Sequence, residues 1–246
     1  LITPNIVLNS FNVNNNINNN INNNKSNTSL ITGPNASGKS TIIKSVLINI
    51  LLAQSLGISL SSNMALTPFK NISCYINTVD TIGSESLFET EVKNMSNYIK
   101  TLKTLKQNEF SFVIIDEILS GTNQTESVSI SYAICKALHK FKNNISLITT
   151  HQTYLTKLEE ENSCINYKMN IINTDTNQNN KNNKNNKNIK TYKMVPGITD
   201  SFLGIEVLKK HDFNKEILLE ADKIKGKLLD NTKSKLQNIQ KYTKIN

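Results

Sequence analysis

Gly33-Pro34-Asn35-Ala36-Ser37-Gly38-Lys39-Ser40-Thr41, preceded by Leu30-Ile31-Thr32 and followed by Ile42-Ile43-Lys44-Ser45-Val46, decides the fold. A short apolar strand, a loop bounded by glycines and the start of an amphipathic helix succeed one another without a gap. The spacing G-x-x-x-x-G-K-S/T lets successive backbone N–H groups curl around the phosphates of a nucleotide. All nine residues from Gly33 to Thr41 are therefore expected to bind nucleotide. Lys39 is placed to reach the β- and γ-phosphates, and Ser40 to offer its hydroxyl to Mg²⁺. The helix N-terminus adds partial positive charge.

Outward from this loop the chain alternates as a mostly parallel sheet demands. Ile42, Ile43, Val46, Leu47, Ile50 and Leu51 recur at helical spacing and predict a core-facing helix. Ile72 to Ile76 is a strand candidate. Phe88, Val92, Met95, Ile99 and Leu102 step by four and three, predicting a helix from Leu87 to about Leu105 whose stripe is packing. Phe110–Ile115 and Ile145–Thr149 are short β-branched runs joined by a helix carrying Val128, Ile134, Ala137, Leu138 and Phe141, the pattern of a right-handed crossover.

Two of these strands end on chemistry. Phe112-Val113-Ile114-Ile115 runs into Asp116-Glu117, which sets two carboxylates at the carboxyl edge of the sheet. An acidic pair after a strand can be a helix cap or a solvated turn. Beside a phosphate loop it suits Asp116 in the Mg²⁺ shell and Glu117 as the group that orients or deprotonates water. Ser146-Leu147-Ile148-Thr149-Thr150 leads to His151 at the same edge, where ligands bind in open α/β folds, so His151 is expected to meet the γ-phosphate. His139 and His211 have no such context.

Composition sets the surroundings. The 246 residues suit one α/β domain with an appendage. The net charge of +9 points formally to an anionic partner, but much of the excess is lysine scattered through Asn-rich tracts and the tail. Cys74, Cys135 and Cys164 show no paired spacing and lie in or beside apolar runs, which predicts reduced, buried thiols and an intracellular protein. No stretch nears the roughly 18 apolar residues of a membrane span. The chain opens on Leu1, as a piece of something longer would. Asn-rich tracts at 12–27 and 173–190 are too polar to bury a core and read as loop insertions at expanded hairpin tips.

These strings resemble one family. Ile31 to Thr41, Asp116-Glu117-Ile118-Leu119-Ser120-Gly121-Thr122-Asn123 and Thr149-Thr150-His151 look like the ATPase domain of the MutS family of DNA mismatch-repair proteins. Asp80 to Val92 is similar to that family's signature loop, and Val195-Pro196-Gly197 through Ser201-Phe202-Leu203-Gly204-Ile205 to its closing strand and helix. The resemblance implies a P-loop NTPase of ABC-ATPase type, hydrolysing ATP with Mg²⁺ in two shared sites of a homo- or heterodimer. It implies that Asn35 touches the γ-phosphate or the attacking water, and that Ser86 reaches the partner's nucleotide in trans, although Ser86 could equally cap a helix. It also implies a DNA clamp acting on mispairs or branched DNA, through domains outside this chain.

Ser84 stands where the family often has glycine, and Glu85 or Ser120 where it has arginine, so the trans contact is expected to be altered. The ATPase domain is assigned to 1–212 and a C-terminal helical dimerisation segment to 213–246. In that segment Asn214 is the expected N-cap of a helix through Ile217, Leu218, Ala221, Ile224, Leu228 and Leu229; a solvated tail is the alternative. One rival function is an ABC-type ATPase of recombination or chromosome maintenance. Its Leu-Ser-Gly-Gly-Gln-like signature should precede the acidic strand, and none lies between Ile42 and Phe110. The other is a nucleotide-gated dimerisation module without hydrolysis, against which Lys39, Ser40, Asp116, Glu117 and His151 all stand intact.

Overall fold

The computed structural model describes residues 6–8, 26–61, 64–76, 87–119, 121–174, 187–199, 208, 211 and 213–227. Backbone packing divides the chain into two units, Leu1–Thr199 and Asp200–Asn246.

The first unit is built on a six-stranded sheet. In chain order its elements are β1 (Ile6–Leu8), β2 (Thr28–Thr32), α1 (Lys39–Leu56), β3 (Met64–Leu66), β4 (Asn71–Tyr75), α2 (Leu87–Thr104), β5 (Ser111–Asp116), α3 (Gln124–His139), β6 (Asn144–Thr149), a 3₁₀ segment (Thr153–Glu159), β7 (Ile165–Thr174) and β8 (Lys187–Pro196). The strand order is β4-β5-β6-β2-β7-β8. All neighbours run parallel except the last pair, where β8 returns antiparallel along β7. This is the mostly parallel α/β sheet that the alternating runs predict.

Pleating sorts the strand residues between two cores. Ile31, Phe112 and Ile114 pack with Ile42, Ile43, Val46 and Ile50 of α1 on one face. Leu30, Val113, Ile115 and Ile148 pack with Met95, Tyr98 and Leu102 of α2 and Leu138 of α3 on the other. Strands buried on both faces read as continuous apolar runs, which is why β5 carries four in a row. Leu51, expected in the α1 stripe, is instead exposed.

Two expectations are corrected. The first Asn-rich tract does not join a hairpin: β1 pairs antiparallel with β3, with Val7 opposite Ala65, whereas β2 lies between β6 and β7. Central placement in a parallel sheet leaves β2 no free edge for β1. Cys74 is exposed, although Cys135 and Cys164 are buried and all three thiols are free. It sits on β4, an outermost strand with a neighbour on one side alone. The second tract is bracketed by a hairpin, with Thr174 opposite Lys187.

Tyr98 is a core residue that the α2 stripe did not include. Its buried hydroxyl lies 2.6 Å from Asn144 Oδ1 and 2.9 Å from Ser111 Oγ, which Asn71 Nδ2 also reaches at 3.1 Å. Burial pushes its pKa far above the usual tyrosine range. Removing the hydroxyl would orphan a buried acceptor, so Tyr98→Phe is expected to cost about 1–3 kcal/mol, read as a lower urea midpoint. An unchanged midpoint would show that the polar cluster contributes nothing net.

In the second unit a helix covers 215–227. Asn214 Oδ1 accepts the Glu216 N–H at 3.1 Å, as an N-cap does. Ile217 and Ile224 of its apolar face are exposed.

Candidate functional site

The loop that joins β2 to α1 owes its path to two glycines. A side chain at Gly33 would bring its Cβ within 2.8 Å of Ser37 Oγ and 3.0 Å of the Met169 side chain. Gly38 has φ 99°, a left-handed conformation that glycine adopts without strain, and serves as the N-cap of α1. Among the described residues no side chain caps this helix and no acidic residue occupies its first turn, which leaves the positive end of its dipole without a protein counter-charge. By contrast α3 is capped by Asn123, whose side-chain oxygen accepts from the Thr125 and Glu126 N–H groups.

Lys39 opens α1 and folds back into the loop. Its ammonium donates to the carbonyls of Gly33 at 3.1 Å and Pro34 at 3.4 Å, and lies 3.0 Å from His151 Nε2. The residue is 5% exposed. Burial lowers its pKa, while Glu117 and Asp116 raise it. The fold therefore holds an ammonium whose desolvation outweighs the carboxylates beside it.

The parallel register sets Asp116 opposite Thr149 at the ends of β5 and β6. The Thr149 hydroxyl donates to Asp116 Oδ1 at 2.5 Å and accepts the Glu117 N–H at 2.9 Å. Glu117 has φ 60° and Leu119 φ 48°. Left-handed backbone at a residue with a Cβ costs about 1–2 kcal/mol, so the turn after β5 is held against strain. Glu117 Oε1 reaches His151 Nε2 at 3.0 Å. That one nitrogen thus has two partners of opposite demand: with a proton it donates to Glu117, without one it accepts from Lys39.

Lys39, Asp116, Glu117 and His151 are thus gathered at the carboxyl edge of β2, β5 and β6. Ser37 is buried in the loop, Ser40 is half-buried on α1, and Asn35, Ala36 and Thr41 are exposed on its outer side; Gly33 and Pro34 are buried. Ser86, with Ser84, Glu85 and Ser120, lies outside the described residues. Asp116 and Glu117 also line a small cleft with Tyr75, Glu91, Asn94 and Met95.

Two residues of β8 join the site without a signal in their local sequence. Lys190 donates to the carbonyls of Asn35 at 3.2 Å and Ala36 at 3.1 Å. The exposed Tyr192 ring stands beside Gly38, 3.0 Å from where a Cβ would lie.

The residues fit a nucleotide and its metal ion. Among the described residues Ser37 Oγ is buried without a hydrogen-bond partner, and the Lys39 ammonium contacts uncharged loop carbonyls and a histidine. Phosphate oxygens would satisfy both. No cluster of three or more His, Cys, Asp or Glu that could hold a metal occurs among the described residues. Mg²⁺ suits such a site, since it is bound through one or two carboxylates with substrate phosphates and water.

Comparison with known proteins accords with this geometry. The chain is 34% identical over 182 residues to a DNA mismatch repair protein MutS of Thermotoga petrophila, covering 73% of this chain and 21% of that protein. It is 29% identical over 202 residues to a MutS of Fusobacterium nucleatum, covering 81% and 21%. With the mismatch repair protein Msh3 of Dictyostelium discoideum it shares 25% over 195 residues, 78% of this chain and 13% of that one. The chain spans about a fifth of the length of the first two relatives. Residues 29–229 match the family model of MutS domain V, and the chain belongs to the MutS family.

Proposed function

We propose that this chain is an ATP-binding and ATP-hydrolysing module of ABC type that closes as a dimer to control a DNA clamp. The observation that carries the reading is the buried Lys39 ammonium, set at the start of α1, a helix without a side-chain cap, with His151 in contact and Glu117 in turn on His151. Glycine-bounded backbone and the α1 N-terminus hold the phosphates, with Asn35 at the γ-phosphate or attacking water. Ser40 and Asp116 would hold Mg²⁺, which would supply charge neutralisation at the transferred phosphoryl group. Glu117 orients and deprotonates the attacking water. Lys39 turns from the loop carbonyls to the phosphates, and His151 Nε2, released from that lysine, donates to Glu117 or to the γ-phosphate. The exposed Tyr192 ring offers a face on which the base stacks.

Ser86 immediately precedes α2 and is assigned to the partner's nucleotide, giving two shared sites. The ATPase domain is assigned to 1–212 and the dimerisation segment to 213–246, with the Ile217 and Ile224 face of its helix laid against the partner ATPase domain. Affinity for nucleotide that differs between open and closed dimers is what shifts one toward the other. DNA, as mispair or branched structure, is contacted by domains outside this chain, in an intracellular setting. No helix among the described residues is long and apolar enough to cross a membrane.

Light scattering with a non-hydrolysable ATP analogue tests the closure. A mass that doubles with analogue and reverts on its removal is expected; a monomer at every nucleotide concentration would refute dimer closure and leave nucleotide binding to be judged separately. A non-hydrolysing module is disfavoured by the Glu117–His151 contact, which sets a carboxylate suited to activating water close to the loop.

A further inference from the structure

Gln152, next after His151, grips the turn that follows Glu117. Its Nε2 donates to Ser127 Oγ at 2.5 Å and to the Ile118 carbonyl at 3.3 Å. Ser127, buried at the start of α3, passes the bond on by donating to the Leu119 carbonyl, and Ser131 Oγ reaches the Ile118 carbonyl at 3.4 Å. A hydroxyl that accepts from an amide and donates to a carbonyl polarises in one direction along the chain, which strengthens both bonds. The backbone N–H of Gln152 is fixed in turn on Thr150 Oγ1 at 3.0 Å.

These bonds close a ring. Glu117 touches His151, His151 is joined through the backbone to Gln152, Gln152 reaches Ile118 and, through Ser127, Leu119, and these two follow Glu117 in the chain. On the other side Thr149 holds the Glu117 N–H. The strained dihedrals at Glu117 and Leu119 thus lie inside a loop of hydrogen bonds anchored from the end of β6. Ile118 and Leu119 are buried, so the turn has little freedom except through this ring.

We propose that Gln152 and Ser127 are positioning residues that hold the Glu117 carboxylate in register with His151, so that hydrolysis depends on them and nucleotide binding does not. The assignment rests on the hydrolytic reading above. Among the described residues the side-chain bonds of Gln152 and Ser127 run to each other and to the turn after Glu117, whereas the bonds on the loop carbonyls come from Lys39 and Lys190.

The test measures phosphate release and ATP affinity in the intact chain for Gln152→Ala, Ser127→Ala, Ser127→Thr, the double alanine variant and Glu117→Gln. Gln152→Ala and Ser127→Ala should each lower kcat about tenfold with ATP affinity within about twofold of wild type. Ser127→Thr, which keeps the hydroxyl, should stay within about threefold in kcat. The double variant should lose no more than the worse single, since both break one ring. Merely structural roles would lower the melting temperature and the fraction of chain that binds ATP, leaving kcat per bound nucleotide unchanged. That pattern, or additive losses, overturns the assignment. If Glu117→Gln stops turnover while Gln152→Ala matches wild type, only the positioning role fails. If wild type binds ATP without turning it over, the hydrolytic reading fails and takes this one with it.

Discussion

Lys39→Met is expected to lower ATP affinity by about 10²–10³-fold while leaving the nucleotide-free fold as stable or more so. The first half follows from the cost of a buried charge left without its counterpart. Removing one member of such a pair costs about 3–5 kcal/mol, and each 1.4 kcal/mol is a factor of ten in affinity. The second half follows from the sign of the pKa shift. Burial lowers the Lys39 pKa against the opposing pull of Glu117 and Asp116, so at neutral pH the empty site holds the ammonium at a cost. Methionine keeps the alkyl stem among the loop atoms and removes the charge. Calorimetric ATP titration and a melting curve without nucleotide read the two halves independently. An affinity within threefold of wild type would refute the phosphate site. A clear fall in melting temperature would mean that the carbonyl contacts of Gly33 and Pro34, not the ligand, are what the ammonium serves.

Glu117→Gln is expected to reduce turnover about 10²–10⁴-fold with ATP affinity retained, the range in which a positioned acid or base contributes. Glutamine preserves the shape at the end of β5 and the N–H bond to Thr149, yet it cannot accept a proton from water. It also changes what His151 meets. An amide can satisfy Nε2 as donor or acceptor, so the choice between Glu117 and Lys39 loses its electrostatic bias. Single-turnover phosphate release, alongside binding of the same ATP, separates chemistry from affinity. Turnover within threefold of wild type would remove Glu117 from the reaction.

How far the chain discloses itself depends on the range of the interactions. The strand, loop and helix around Gly33 to Thr41 were legible because their signals lie within a few consecutive residues. Asp116 and His151 were legible because an apolar strand points its last residues to one edge, whichever strands neighbour it. Tyr192 and Lys190 were not, since their nearness to the loop is set by β8 pairing with β7, and β7 with β2. Gln152 and Ser127 were hidden because their bond joins the start of α3 to the turn after β6, a nearness set by how that helix packs back on the sheet. The pairing of β1 with β3 joins three-residue strands of little pattern across the whole of α1. Cys74 sits in a run as apolar as the others, and what exposes it is strand order, which no local window contains.

The same strand order has a consequence for how the molecule comes into being. Thr28 of β2 pairs with Ser146 of β6 on one side, and Ser29 with Ile165 of β7 on the other. Within this chain β2 is synthesised before either of its neighbours, and the slot that holds it is not made until α2, α3, β6 and β7 have followed. Loop closure over so long a stretch must precede the contacts that reward it, which slows folding. Until then β2 is a strand with two open edges, the kind of segment that recruits chaperones or aggregates.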